Sequence, residues 1–338
     1  MRTSSSAQRA LGVAAAVAIL AGCSNGGSQV APSGAMQQNA VRSGLGTKST
    51  GNPFTLITKT GGVIVHPDRS PSRMDPEATT KTLLYISDAG TNDVYVYTYP
   101  QGKLTGTLTG FNSPFGECVD KTGNVWITNA GSSQIIEYAH GGTTPIATLE
   151  DPGQAPAGCS ANVKNGDLAV TNLNPTSGGG AGSVSVYKNA QANPTTYSDA
   201  SLYRPYFLGY DNKGNLFVDG TNASAVFAYA ELPRGKKKFT NITLNVSISS
   251  PGGVQWDGNY IAVGDEGGAI YQTSGGTVVG TTTLTGASFV LQFFIEKSKV
   301  VVPDVGNKNA GIYKYPTGGS PTTTISGLSA PVGSAVSK

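Results

Sequence analysis

Charge and histidine are both scarce in this chain, and the two scarcities remove whole classes of function. Only 13% of its 338 residues are Asp, Glu, Lys or Arg, and the formal net charge is +3. Nucleic-acid binding is driven by neutralising phosphates along an extended basic surface, so no nucleic-acid partner is expected. The two histidines are His66 and His140, the latter in a Tyr-Ala-His-Gly-Gly turn. Neither has a second ligand at zinc-site spacing, which excludes a histidine-built zinc centre. Also missing are a Gly-x-Ser-x-Gly elbow, a His-Glu-x-x-His helix and a Walker loop. The glycine-rich run Gly178 to Gly182 lies between two strand-like segments and opens no helix, so it is a long loop and not a phosphate cradle. Beyond the N-terminus no stretch carries apolar residues at sustained helical spacing.

What the chain does have is a repeat. Six apolar runs end in a small polar pair: Leu84 to Asp88, Val125 to Asn129, Leu168 to Asn172, Leu216 to Gly220, Ile261 to Asp265 and Val300 to Asp304. Their final positions lie 41, 43, 48, 45 and 39 residues apart. Each is followed by a strand-like run containing tyrosine, such as Val94 to Tyr97 or Val184 to Tyr187. A strand-only period of this length is the signature of a propeller. The runs are apolar at nearly every position, as befits strands covered on both faces by neighbouring blades. Pro-x-Gly opens the first strand of most units (Pro114, Pro156, Pro251, Pro331), with departures at Pro205 and near Ala287. Gly-containing turns such as Lys121 to Asn124 supply the hairpins. The first unit lacks a first strand, while Ala330 to Val336 is a first strand with no second one after it. Pairing the two closes the ring and removes an exposed sheet edge. The fold class is therefore all-β, a six-bladed β-propeller of four-stranded blades closed by the C-terminal strand; seven blades would require residues 54–66 to join a further blade.

Candidate site residues follow from that geometry. Loops after second strands and before first strands gather on one face around the channel, which brings Asp88, Asn129, Asn172, Asp265 and Asp304 into a polar ring, with Gly220 in the sixth place. Clustered carboxylates and amides can hold a hard cation such as Ca²⁺ through oxygen; the alternative is that each caps its own turn. Glu117 is a further candidate at the channel mouth. Phe115, Tyr206, Phe207 and Trp256 beside the first-strand openings either form an apolar platform there or pack between blades. The loop 173–183 and those before Pro114, Pro156, Pro205 and Pro251 are placed to set specificity. The basic run Arg234 to Lys238 falls in a turn between third and fourth strands, where a solvated hairpin tip accounts for it.

At the N-terminus, Arg2 and Arg9 precede an apolar segment, Ala10 to Leu20, too short for a dependable membrane span. It ends in Leu20-Ala21-Gly22-Cys23, which closely resembles a bacterial lipoprotein signal. That resemblance implies a signal peptide over 1–22 and lipidation of Cys23. With Ser24 next, it also implies an exported lipoprotein of the cell envelope, destined for the outer membrane. Without Arg2 and Arg9 the formal charge falls from +3 to +1. Residues 23–53, rich in Ser, Gly, Gln and Asn, form a flexible tether, residues 54–338 the propeller, and residues 67–81 an irregular stretch on it. Cys118 and Cys159 fall in first strands of adjacent blades. Aligning the Pro-x-Gly openings places Cys159 opposite Glu117, one residue out of step with Cys118, so two buried free thiols are expected rather than a bridge.

The strands of type Leu-Tyr-Val-Thr-Asn…Val-x-Val-Tyr with Pro-x-Gly openings resemble NHL-like bacterial propellers over about residues 82–338. The likeness extends distantly to gluconolactonase/regucalcin and streptogramin lyase propellers. The former implies a Pro-Asn-Gly metal ligand where this chain reads Pro-Phe-Gly, Pro-Ala-Gly and Pro-Gly-Gly, and the latter a channel histidine that neither His66 nor His140 supplies. No catalytic residue carries over. The expectation is a monomeric, non-catalytic binding or scaffold module for a protein, glycan or envelope ligand, with no cofactor. The alternative is a metal-dependent hydrolase or lactonase with its ligand set at the channel.

Overall fold

The computed structural model describes residues 70–177 and 179–338. The leader, Cys23, the tether, residues 54–69 and His66 lie outside them. Six antiparallel sheets follow one another along the chain, and the fold is a six-bladed β-propeller. The second blade is typical: Pro114–Val119 innermost, then Val125–Asn129, Gln134–Tyr138 and Pro145–Glu150 outermost. Val125–Asn129 is buried at every position, as is Leu83–Asp88 in the first blade. Their unbroken apolar runs face a neighbouring blade on each side. Clusters of buried side chains bridge the blades in turn. Tyr85, Val94 and Leu108 of the first meet Val125, Ile127 and Tyr138 of the second, and Leu84 and Ile86 of the first meet Val301 and Ile312 of the sixth.

The ring closes as the sequence pattern requires. Pro331–Ser337 forms the innermost strand of the first blade, pairing from Leu83↔Ser337 to Asp88↔Pro331. The Pro-x-Gly opening proves to be a β-bulge. In the second blade the register passes from Pro114↔Asn129 to Glu117↔Ile127, leaving two residues opposite one. The fifth blade repeats this over Gly252 and Gly253, and the fourth does so over Tyr206 and Phe207 although it lacks the glycine. Glycine serves close approach at Gly116 and Gly333, where a Cβ would collide with the carbonyl oxygens of Ala157 and Phe115 in the next blade.

Two expectations need correction. The stretch 67–81 is not wholly irregular: Arg73–Met74 adds a fifth, outermost strand to the first blade against Leu104–Leu108, and Ala78–Thr80 forms a 3₁₀ turn. Cys118 and Cys159 are bridged, with Cα atoms 5.7 Å apart. The alignment was sound, since Glu117 and Cys159 oppose equivalent residues, Ile127 and Val170. Its consequence was misjudged. Neighbouring blades in a ring present opposite faces to each other, and side chains alternate along a strand. Two residues that meet across the gap must therefore be out of step by one.

Candidate binding site at the open end of the channel

The two faces of the disc differ in construction. One carries the turns between second and third strands and the blade-to-blade connections; the other carries the turns between first and second and between third and fourth strands. The polar ring lies on the connection face, and its members are occupied by backbone. Asp88 accepts from the amides of Gly90 (2.9 Å) and Ala330 (2.8 Å) through Oδ1 and of Ser329 (2.7 Å) through Oδ2. Asp304 accepts from the amides of Ser288, Phe289 and Asn307, and Asp265 from the amides of Ser249 and Gly267. Asn129 accepts from Asn112. Each thereby ties the end of a second strand to the connection arriving from the previous blade. Asn172 differs, donating to Ser183 and Ser185 and leaving its Oδ1 without a partner.

One position earlier runs a second, deeper row that sequence reasoning passed over. Thr128 accepts from Gly116 N and donates to Ala157 O of the next blade; Thr171 does the same with Gly158 and Tyr206. In the fourth blade Asp219 takes this place, accepting from Phe207 N while its Oδ2 has no partner, and burial pushes its carboxyl up to about 8. The signal was visible as Ser87, Thr128, Thr171 and Asp219 recurring just before the ring position.

Inside the ring the channel is shut. Phe115, Ala157, Phe207, Val254, Leu291 and Val332, one from each blade, form a single buried cluster. Phe115 and Phe207 meet across the axis with centroids 6.3 Å apart, and Tyr206 packs edge-on against Phe207 at 6.3 Å. Phe115, Tyr206 and Phe207 therefore sit buried within the plug. The bulge brings this about by setting side chains after the proline towards the axis.

The opposite end is open. A cavity of about 290 Å³ enters from the turn face, with Glu117, Leu208, Val254 and Gln292 in its wall and Tyr210, Trp256, Phe294 and Val163 nearer the rim. The Cys118–Cys159 bridge forms part of its lining. Gln292 holds the depth of the cavity together, accepting from Glu117 N (3.0 Å) and Ser334 N (3.2 Å) and donating to Glu117 O (2.8 Å). Glu117 is 1% exposed; its Oε1 accepts from Ser87 at 2.6 Å, and its Oε2 has no partner. Burial pushes this carboxyl up to about 8, against the smaller lowering effects of Ser87 and the Ala335 amide. Burial thus favours the protonated form of an acid held against Ser87 and the Ala335 amide of the first blade.

Trp256 and Glu117 thus share one cavity, while Asp88, Asn129, Asn172, Asp265 and Asp304 stand at the other end. Glu266, near Asp265 and Asp219 on the connection face, is also pushed up to about 8, chiefly by desolvation. Among the described residues no three His, Cys, Asp or Glu side chains converge in a way that holds a metal ion.

No protein-family model and no curated protein matches the chain. Solved structures do match. One is a chain of the crystal structure of a nidogen/laminin complex, similar at a TM-score of 0.63 and 12% identity over 76% of this chain and 98% of that one. At that identity the likeness establishes the β-propeller and nothing of its chemistry.

Proposed function

We propose that the chain is an exported, lipid-anchored β-propeller that acts as a non-catalytic binding module, with its ligand seated in the open end of the channel. The observation that carries this reading is an apolar, Trp256-rimmed cavity floored by the Gln292 amide and the Glu117 backbone that it holds. A ligand site is characteristically such a pocket, apolar with few converging polar groups. The Glu117 carboxyl itself is held by Ser87 and the Ala335 amide of the first blade, and only its backbone is fixed by Gln292 at the cavity floor. Asp211, the other carboxylate in the lining, is already engaged by the amides of Lys213 and Asn215 in its turn. This leaves Glu117 without the second acid or activated nucleophile that hydrolysis calls for. A disulfide in the cavity wall suits an oxidising compartment outside the cytoplasm, and the lipoprotein-like end at Cys23 suits attachment to the outer membrane.

The test is a thermal-melt and fluorescence panel of neutral sugars, lactones and cyclic ketones, with Ca²⁺, Mg²⁺, Zn²⁺ and EDTA alongside. A bound ligand raises the melt by mass action. Of the two tryptophans, Trp126 is buried between blades, so a ligand-dependent emission change that Trp256→Phe abolishes places the ligand in the cavity. A shift produced by a cation and abolished by Asp265→Ala would overturn the reading in favour of a metal-dependent hydrolase at the connection face.

A further inference from the structure

The near-zero charge of the chain conceals a separation of charge across the disc. Of the described Lys and Arg residues, all but Arg73, Arg204 and Lys308 lie in the turns and strand ends of the turn face. Around the channel mouth the first-to-second-strand turns present Lys121, Lys164, Lys213 and Lys297, and the closing strand ends in Lys338. Farther out are Arg234 and Lys236 to Lys238, all exposed. The ion pairs of the described residues are Lys81–Glu77 and Lys338–Glu296, so the other cations of this face have no carboxylate within ion-pair distance. The carboxylates of this face are fewer, nine (Asp75, Glu77, Asp120, Glu137, Asp167, Asp211, Glu231, Asp257 and Glu296) against fourteen Lys and Arg, and Asp120, Asp211 and Asp257 are half-buried and accept backbone amides of their own turns. The connection face has the reverse balance, Arg204 and Lys308 against Asp88, Glu150, Asp199, Asp265, Glu266 and Asp304.

A second, independent feature marks the same face. Of the large apolar side chains that stand exposed, Val163 (61%), Ile146 (54%), Val279 (50%), Leu104 and Tyr260 are on turns or strand ends of the turn face, and only Val226 is on the other. They are spread over five of the strand ends rather than gathered into one patch.

We infer that the turn face is a docking surface for an anionic lipid bilayer, with lysines over the headgroup phosphates and the raised apolar tips set among the headgroups. Three features favour lipid over an acidic protein. The cations are carried by five of the six blades, the fifth having none and the fourth having five, so they extend beyond one complementary patch. They are lysines apart from Arg234, point charges suited to diffuse attraction more than to bidentate recognition. The apolar tips are dispersed, which a fluid interface accommodates and a fixed partner surface does not. This inference requires neither lipidation of Cys23 nor a ligand in the cavity.

The test uses the full chain carrying Cys23→Ser, sedimented with phosphatidylcholine vesicles with and without about one-third phosphatidylglycerol. The readout is the increase in binding that the anionic lipid produces. The increase should be large at low salt and fall as salt is raised. Reversing four charges together (Lys213→Glu, Lys236→Glu, Lys237→Glu, Lys238→Glu) should reduce it by roughly a hundredfold or more, at about fivefold per lysine near an anionic surface. Lys308→Glu on the connection face should leave it unchanged. Ile146→Ser with Val279→Ser should weaken binding by roughly tenfold while leaving the salt dependence in place. Equal effects of Lys308→Glu and the fourfold variant would overturn the inference. So would no gain from anionic lipid, and so would retention on dextran sulfate without vesicle binding, which would assign the face to a soluble polyanion.

Discussion

The two halves of the channel are built from the same six strands and end in opposite states. Towards the connection face the strands contribute Phe115, Phe207, Leu291 and Val332, which close it. Towards the turn face they contribute Glu117, Tyr210, Trp256 and Gln292, which leave about 290 Å³ open. The division falls at the bulge that follows the opening proline, as in the second and fourth blades. Phe115 and Phe207 within the bulge meet in the plug; after it, the strands alternate regularly and part around a polar floor. Closure of one end is thus stability, and opening of the other is the opportunity for function.

The comparison breaks most completely if the ring is opened. Deleting residues 331–338 removes Val332 from the plug and the inner strand of the first blade, and should abolish cooperative folding as followed by far-ultraviolet circular dichroism. Next in size is Phe115→Ala, which empties the plug and should cost about 3–5 kcal/mol, read as a lowered denaturation midpoint. Its counterpart at the open end, Trp256→Ala, should cost less, because Trp256 is only half-buried against the plug; equal losses from the two would erase the distinction drawn here. The Cys118–Cys159 bridge spans 41 residues. Cys118→Ser with Cys159→Ser should cost up to about 4 kcal/mol by chain-entropy reasoning, and a matching loss on adding reductant to the wild type would check it.

The most diagnostic effect concerns pH. The Glu117 carboxyl is raised from 4.5 to about 8 on folding. Between those values the folded state binds more protons than the unfolded, so stability falls as pH rises, by up to about 1.4 kcal/mol per unit for one group. Asp219, also raised to about 8, acts in the same direction. Melts should therefore be higher at pH 5 than at pH 8. Glu117→Gln should flatten part of that slope, and Asp219→Asn, which keeps an acceptor for Phe207 N, another part. Parallel slopes in all three proteins would mean that these acids are solvated.

Much of the architecture was legible because it is local and repeated. The period of the apolar runs, the Pro-x-Gly openings of the first strands and the clasp by the C-terminal strand each follow from residues near one another in sequence or copied between blades. What escaped depends on the direction in which a strand faces. The parity of Cys118 and Cys159 was seen, but its meaning inverts because adjacent blades show each other opposite faces. The polar ring was found, with turn capping as one of its two readings; the hydrogen bonds that Asp88 accepts from the Ser329 and Ala330 amides reach farther, to the incoming connection. Placing the open site on that face missed the plug, since nothing in Pro114-Phe115-Gly116 alone says that Phe115 turns to the axis. Net charge was read correctly as small, yet a sum over the whole surface cannot show that its two signs lie on opposite sides of a disc.

The unshared oxygen of Glu117 has one more consequence. The acid is sealed between the first and second blades, beside Ser87 and the closing strand. Its proton can leave only when that seam opens, so ionisation and local opening become one event. Raising the pH past about 8 should then loosen the junction where the two ends of the propeller meet before it loosens any other, with faster hydrogen exchange at the amides of residues 83–88 and 331–337. The clasp that closes the ring would thus carry its own pH fuse.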